Sequence, residues 1–286
     1  MMSPAKILVT IRRDDGKKFR IDDTLWSLQA AKGLDEPSIE VFSQKSAIGD
    51  GDIVTGTRVG ARDIEFTARV RSAALNDVAR MDALSFFRPR ATYDLYVRRY
   101  GGERYAAACR LDGVSVPAEN IYLPVTLKLT FLAPEGYWLS TDSFGKNIAG
   151  IEERCGYPYV ATQARGRIYG VYSFAQTIVL DNDGDAEAYC KAVFKARSQV
   201  VNPKLTAGGS YVRVLCTLNA GDELVIDGRA KSVTINGANA ATSQDKGSNY
   251  DGIVFGIGTN TVGYGADIGS NALDVYVYYN KRYLGA

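Results

Sequence analysis

Residues 218–240 read LNAGDELVIDGRAKSVTINGANA, and their alternation decides the fold class. Leu224 and Ile226 alternate with Glu223, Val225 and Asp227, and Val233 and Ile235 alternate with Ser232, Thr234 and Asn236. A period of two is that of half-buried strands. The breaks agree: Ala220-Gly221-Asp222, Asp227-Gly228 and Asn236-Gly237 each set glycine beside a residue that tolerates positive φ, as tight antiparallel turns require. Just upstream, Val212, Val214 and Cys216 share one face while Tyr211, Arg213 and Leu215 share the other. The stretch is a meander of short antiparallel strands, and nothing in it is catalytic.

The same alternation recurs on both sides. Downstream, Leu273, Val275 and Val277 face inward, with Asp274, Tyr276 and Tyr278 outward. Upstream lie SFAQTIVL, a turn DNDGD and a strand EAYCKAVFKA. Residues 139–175, with five glycines among Tyr157, Tyr159, Tyr169 and Tyr172, read as irregular strands and loops. The first half differs by including a helix. A hairpin over 5–13 and 17–21 and strands at 24–31 and 38–44 lead to IGDGDIVTG, which has the composition of an exposed tip. In the strand that follows, Ile64, Phe66, Ala68 and Val70 share a face with Arg62. SAALNDVARMDALSFF, residues 72–87, carries an apolar stripe at helical spacing (Ala74, Val78, Met81, then Leu84 or Ser85), with Ser72 as cap and Pro89 as stop, and the stripe is expected to face the core. Strands YDLYVRRY, ERYAAACRL and IYLPVTLKLTFL complete an α+β domain of residues 1–136, with an all-β domain over 137–286.

Composition narrows function mainly by exclusion. The 286 residues carry 34 Lys and Arg against 32 Asp and Glu, too balanced for a general nucleic-acid or anionic-membrane binder. No apolar run approaches the ~20 residues that span a bilayer, and the first residues lack the apolar core of a signal peptide, so synthesis in the cytoplasm is expected. There is no histidine, which removes Ser-His-Asp and Cys-His catalysis and argues against zinc. Cys109, Cys190 and Cys216 fall in phase with strand cores, whereas Cys155 lies in a stretch containing Gly and Pro. Asp181, Asp183, Asp185 and Glu187 resemble the start of a calcium loop, but Ala186 and Ala192 stand where an EF-hand needs Gly and Glu, so a turn is expected. The glycines at 256, 258, 263, 265 and 269 precede no helix pattern and read as sandwich turns rather than a phosphate cradle. Tyr276, Tyr278 and Tyr279 are read as outward strand residues in preference to a sugar-stacking platform. No catalytic, metal or cofactor-binding residue is assigned. Eleven arginines stand between 58 and 110 against six acids; the excess is either a solvated face or, with Arg62, Arg69, Arg71, Arg98 and Arg99 as candidates, a subunit interface or ring lumen.

GDEL, then VIDG, then a strand ending in NG, with FGIGTNTVGYGA before a final aromatic strand, resembles the C-terminal domain of siphophage distal tail proteins. The first half fits the same family through ARDIEFTARV, a helix closing on FFRP, and TLKLTFLAPEGYW. The carrying positions are Pro134, Tyr137, Trp138, Gly184, Asp185, Gly221, Asp222, Ile226, Asp227, Asn236 and Gly237. Departures are Ala133-Pro134-Glu135-Gly136-Tyr137-Trp138, where the family often has Asp-Pro-Tyr/Phe-Trp, and Cys190, where Pro is usual. The resemblance implies a mainly β protein: an N-terminal domain with a split-barrel-like sheet and one helix, and a galectin-like β-sandwich. It further implies a structural virion protein of the tail tip or baseplate, not an enzyme and without cofactors. Its first domain would form a homohexameric ring joining the tail tube to the baseplate hub and adsorption apparatus. Expected partners are the tube protein, the hub or tail-associated protein and a receptor-binding protein, with DNA only in transit through the ring and no membrane insertion. The alternative reading is a carbohydrate-binding module, supported by the sandwich and its tyrosines.

Overall fold

The structure, a computed structural model, describes residues 7–45, 50–99, 102–117, 122–153, 170–173 and 176–286. The chain divides into two compact units: Met1–Thr141 with Arg282–Ala286, and Asp142–Lys281. The division thus falls after Thr141 rather than after Gly136, and the last five residues belong to the first unit.

In unit one the strands are β1 (Leu8–Arg13), β2 (Lys18–Ile21), β3 (Trp26–Lys32), β4 (Ile39–Lys45), β5 (Asp52–Val59) and β6 (Arg62–Val70). Helix α1 (Asn76–Phe86) precedes β7 (Thr92–Arg99), β8 (Gly102–Ser115), β9 (Thr126–Ala133) and β10 (Trp138–Ser140). The main sheet runs β2-β1-β7-β8-β9-β6-β3, antiparallel throughout, and β10 pairs with β8 and with the C-terminal strand Arg282–Tyr283. Alternation along β6 puts Arg62, Ile64, Phe66, Ala68 and Val70 inside, as the sequence predicts.

Helix α1 lies on the sheet through its small side chains. Ala79 and Ala83 are fully buried, and Phe86 and Phe87 fill the space beyond them against Phe19, Tyr93 and Phe131, ring centroids 4.9 to 6.2 Å apart. The Tyr93 hydroxyl fastens the end of the helix: it accepts from Arg88 N at 2.7 Å and donates to Arg88 O at 3.0 Å. The expected core stripe faces water instead: Val78 is 63% and Met81 74% exposed, and Leu84 is exposed too. The reason is steric, since alanines let the helix axis approach the sheet more closely than Met and Val would. Ser72 makes no cap bond. Asn76 bridges instead, its side chain accepting from Val125 N and donating to Leu123 O.

IGDGDIVTG is only partly a tip. Residues 46–49 lie outside the described residues, and Asp52–Val59 is a strand that pairs with β4 as a separate two-stranded ribbon.

Unit two is a sandwich. One sheet orders Gly170–Ser173, Phe144–Glu153, Leu273–Tyr279, Lys191–Ala196, Glu223–Asp227, Ser232–Ile235 and Ala238–Asn239. The other orders Thr177–Asn182, Gly258–Gly265, Lys204–Ala207 and Ser210–Arg213. Leu224, Ile226, Val233, Phe194 and Val275 from the first meet Leu180, Leu205, Val212 and Val262 from the second in one core. Each fully buried side chain of this size contributes about 1.5–3 kcal/mol.

Phe144–Glu153 and Gly170–Ser173 are strands within the stretch read as irregular strands and loops. Two expectations change here. Gly258–Gly265 is a strand rather than a run of turns. Tyr279 points inward, 5% exposed, its ring edge-on to Phe255 and its hydroxyl donating to Asp181 O at 2.9 Å. Cys155, Tyr157, Tyr159 and Tyr169 lie outside the described residues.

Candidate interaction surfaces

The positions that carry the family resemblance form turns and junctions. At the end of β9, Gly136 has φ +66°, and a Cβ there would stand 2.1 Å from Gly60 O, so only glycine fits. This tight passage lets Trp138 bury completely and donate Nε1–H to Leu34 O at 2.9 Å, while Tyr137 lies beneath the Arg282 guanidinium at 3.9 Å. Pro134 begins the turn. In unit two, Asn182 holds the turn containing Gly184 and Asp185. Its Oδ1 accepts from Gly184 N at 3.1 Å, and its Nδ2 donates to Ala186 O and Phe255 O, both at 3.0 Å.

Asp222 and Asn236 tie two turns together. Asp222 accepts from Asn219 N at 2.7 Å and from Asn236 Nδ2 at 2.8 Å, and Asn236 Oδ1 accepts from Glu223 N at 2.9 Å. Those bonds, the backbone one foremost, hold the Asp222 carboxyl below its usual range. Gly221 at φ +92°, and Asn236 and Gly237 at +50° and +79°, supply the left-handed backbone. Asp227 caps its turn through Arg229 N and Ala230 N, and Ile226 is core. All of these groups are spent on the fold.

Burial pushes the Cys109 thiol up to about 12 and raises Cys190 as well, so neither is a thiolate at neutral pH. Among the described residues, no three of His, Cys, Asp and Glu stand close enough to hold a metal ion.

The five candidate arginines do not form one surface. Arg62 is 2% exposed; its Nη1 donates to Leu34 O at 2.9 Å and its Nη2 to Leu284 O at 2.7 Å, and burial lowers its pKa from the usual value. Arg99 donates to both Asp35 oxygens and to Ala286 O. Arg71 donates to Asp23 O and, with Arg69, lines a shallow depression beside Ser27 and Gln29. Arg98 pairs with Glu103 on the outer face of the sheet. That face gathers Lys18, Arg12, Arg20 and Arg98 around Tyr96, which stacks on Tyr105 with centroids 5.3 Å apart. Arg12 is bonded to Asp94 at 2.7 Å, so acids of the same face offset part of the charge.

Two surfaces that sequence reading missed are apolar. The ribbon β4–β5 exposes Ile39, Val41, Phe42, Ile53 and Val54. Register places Val41 and Val54 on one face with Ile39, and Phe42 and Ile53 on the other. Arg58 stacks on Phe42 and pairs with Glu40 at 2.7 Å. The second surface is the outward stripe of α1, Val78, Met81 and Leu84, with Leu75 at its start. Monomers seldom leave contiguous apolar area open in this way, and such patches mark interaction sites. The signal was present in the sequence: α1 is apolar on two faces, and only one can be core.

Comparison with known proteins bears on both units. Residues 183–283 match the family model described as siphovirus-type tail component, C-terminal domain. No curated protein sequence matches the chain. The crystal structure of SPP1 Dit, described as a paradigm of the hub adsorption apparatus in phages infecting Gram-positive hosts, superposes with TM-score 0.65 at 14% identity, covering 96% of this chain and 98% of that one. A chain of the phage P2 baseplate in its activated conformation with Ca matches with TM-score 0.54 at 11% identity, covering 98% of this chain and 99% of that one. Residues 183–283 are thus similar to the C-terminal domain of siphovirus-type tail components, and the chain as a whole has the Dit fold.

Proposed function

We propose that this protein is a structural component of a phage or prophage tail tip: a distal tail protein that forms a homohexameric ring and joins the tail tube to the baseplate hub. The observation that carries this reading is coverage. Both units together follow a hub protein of an adsorption apparatus over 96% of the chain, and the second unit separately matches a tail-component family. Two units of unrelated architecture occurring in the same order favour shared assembly over a generic sandwich. In this reading unit one is the ring-forming, tube-like part and unit two a galectin-like domain carried by the ring. The partners are the tube protein, the hub protein and a receptor-binding protein, and DNA passes through the opening without being held. The protein acts in the virion, at the tail tip, and as a structural part rather than an enzyme; the likeness to tail and baseplate proteins supports that. The carbohydrate-binding alternative has less support than the sequence suggests, because Tyr279 is taken by the core. Negative-stain images of the purified full chain test the proposal: six-fold rings with a central opening are expected, and a monomer at every concentration overturns it.

A further inference from the structure

We infer that unit one assembles by a head-to-tail contact in which the β4–β5 ribbon of one copy lies on the outward stripe of α1 of the next. The inference rests on the self-assembly reading above and names the surfaces that carry it.

An isolated two-stranded ribbon is marginal in water, because neither face has a core beneath it. This one exposes apolar side chains on both faces and, among the described residues, hydrogen-bonds to no other sheet. The helix stripe is equally bare. Both surfaces remain exposed in the folded chain, so a copy does not use its own ribbon to cover its own helix. They are also unlike each other, one an extended ribbon and the other a helical ridge. Two unlike patches that satisfy one another between copies make a heterologous contact, and a heterologous contact repeats until it closes as a ring or runs on as a filament.

The available area is sufficient. One face of the ribbon, with Ile39, Val41 and Val54, meets four helix side chains, all large, apolar and exposed. At roughly 100 Å² of open apolar surface each, these seven offer about 700 Å². Because an ordinary interface is only about 57% apolar, backbone and flanking polar groups bring the total to roughly 1,200 Å², within the range that a specific contact buries. The occupant is therefore a second copy of this chain. An unrelated partner would have to cover two separate apolar surfaces of different shape.

Complementation between two full-length variants tests the pairing. Val41→Glu spoils the ribbon and keeps the helix; Met81→Glu spoils the helix and keeps the ribbon. Both positions are exposed, so each variant should keep the wild-type thermal melt. Each alone is expected to be monomeric by native mass measurement. Their equimolar mixture should give a dimer and nothing larger, because one intact ribbon meets one intact helix and the remaining two surfaces are both spoiled. Rings formed by either variant alone would overturn the pairing while leaving the ring itself intact. A dimer of either variant alone would overturn it in favour of like-with-like contacts, and a mixture that stays monomeric would overturn it outright. If the wild-type chain is itself monomeric, the assembly reading fails first, and this inference with it.

Discussion

Arg62 sits where a strand would ordinarily place another aliphatic residue. It is in phase with Ile64 and Phe66, yet among the described residues its charge has no carboxylate partner within bonding distance and is met by main-chain oxygens. Leu34 O receives three donors, from Arg62, Trp138 and Ala286. Shortening Arg62 removes the guanidinium's hydrogen bonds to Leu34 O and Leu284 O in a buried place, and a hydrogen bond from a charged group contributes about 1.5–3 kcal/mol. Arg62→Met should therefore destabilise unit one by about 2–3 kcal/mol. Both tryptophans, Trp26 and Trp138, are buried in unit one, so their fluorescence in urea reads this unit alone; an unchanged midpoint would count against the role assigned to Arg62. A second residue sets a pH dependence. Two bonds from Arg13 hold the Asp15 carboxyl down to about 2 from its usual 3.8. Because the folded value is the lower one, the pair's contribution is complete above the unfolded value and is lost as pH falls towards 2. Between pH 4 and 2 the wild type should lose melting temperature more steeply than Asp15→Asn, and parallel slopes would reject the linkage.

At the scale of elements, strands were readable and the helix orientation was not. Strand alternation needs only the distinction between apolar and polar, so Glu223–Asp227, Leu273–Tyr279 and β6 could be located from residue types alone, with the inward phase of Tyr279 the one slip. Helix α1 offers two apolar faces, and choosing between them takes information about distance to the sheet. Large side chains look like core, but the structure buries Ala79 and Ala83 and turns Val78 and Met81 outward. The ribbon failed for a related reason: Gly and Asp suggested a loop, and the pairing of Ile53 and Val54 with β4 is long-range information. Family motif positions were legible as turns because φ demands are local, as at Asn236-Gly237. The helix assignment has a direct consequence. Ala79→Leu forces a larger side chain between helix and sheet and should cost about 1–3 kcal/mol in tryptophan-detected unfolding. Met81→Ser should stay within about 0.5 kcal/mol of wild type, as an exposed position does. The reverse order would restore the stripe to the core.

For the whole molecule, the path of the chain matters more than the boundary between units. β10 leads out of unit one, and Arg282–Tyr283 returns as its antiparallel neighbour, with Trp138 opposite Tyr283 and Leu139 opposite Arg282. Unit two is thus inserted between two adjacent strands of unit one, and unit one is incomplete without residues beyond it. The returning segment is held at several points: Arg62 reaches Leu284 O, Arg104 reaches Gly285 O, Arg99 reaches Ala286 O, and Ala286 N donates to Leu34 O. The Arg104 guanidinium also stacks on Tyr283 at 3.8 Å. Four hydrogen bonds at about 1 kcal/mol each, some with a charged donor, place the segment's contribution on the order of 3–5 kcal/mol, a large share of an ordinary domain's stability. Deleting residues 282–286 should therefore lower the tryptophan-detected unfolding midpoint markedly. Hydrogen exchange across Lys191–Ala196 and Glu223–Asp227 should stay as slow as in the wild type, because the core of unit two contains none of the deleted residues. For the same reason, fragments ending near residue 141 test assembly poorly, since monomers could reflect a weakened fold rather than a missing interface. An undiminished tryptophan midpoint after the deletion would mean that β10 and its arginines are satisfied without the returning strand, and that unit one is complete within its first 141 residues.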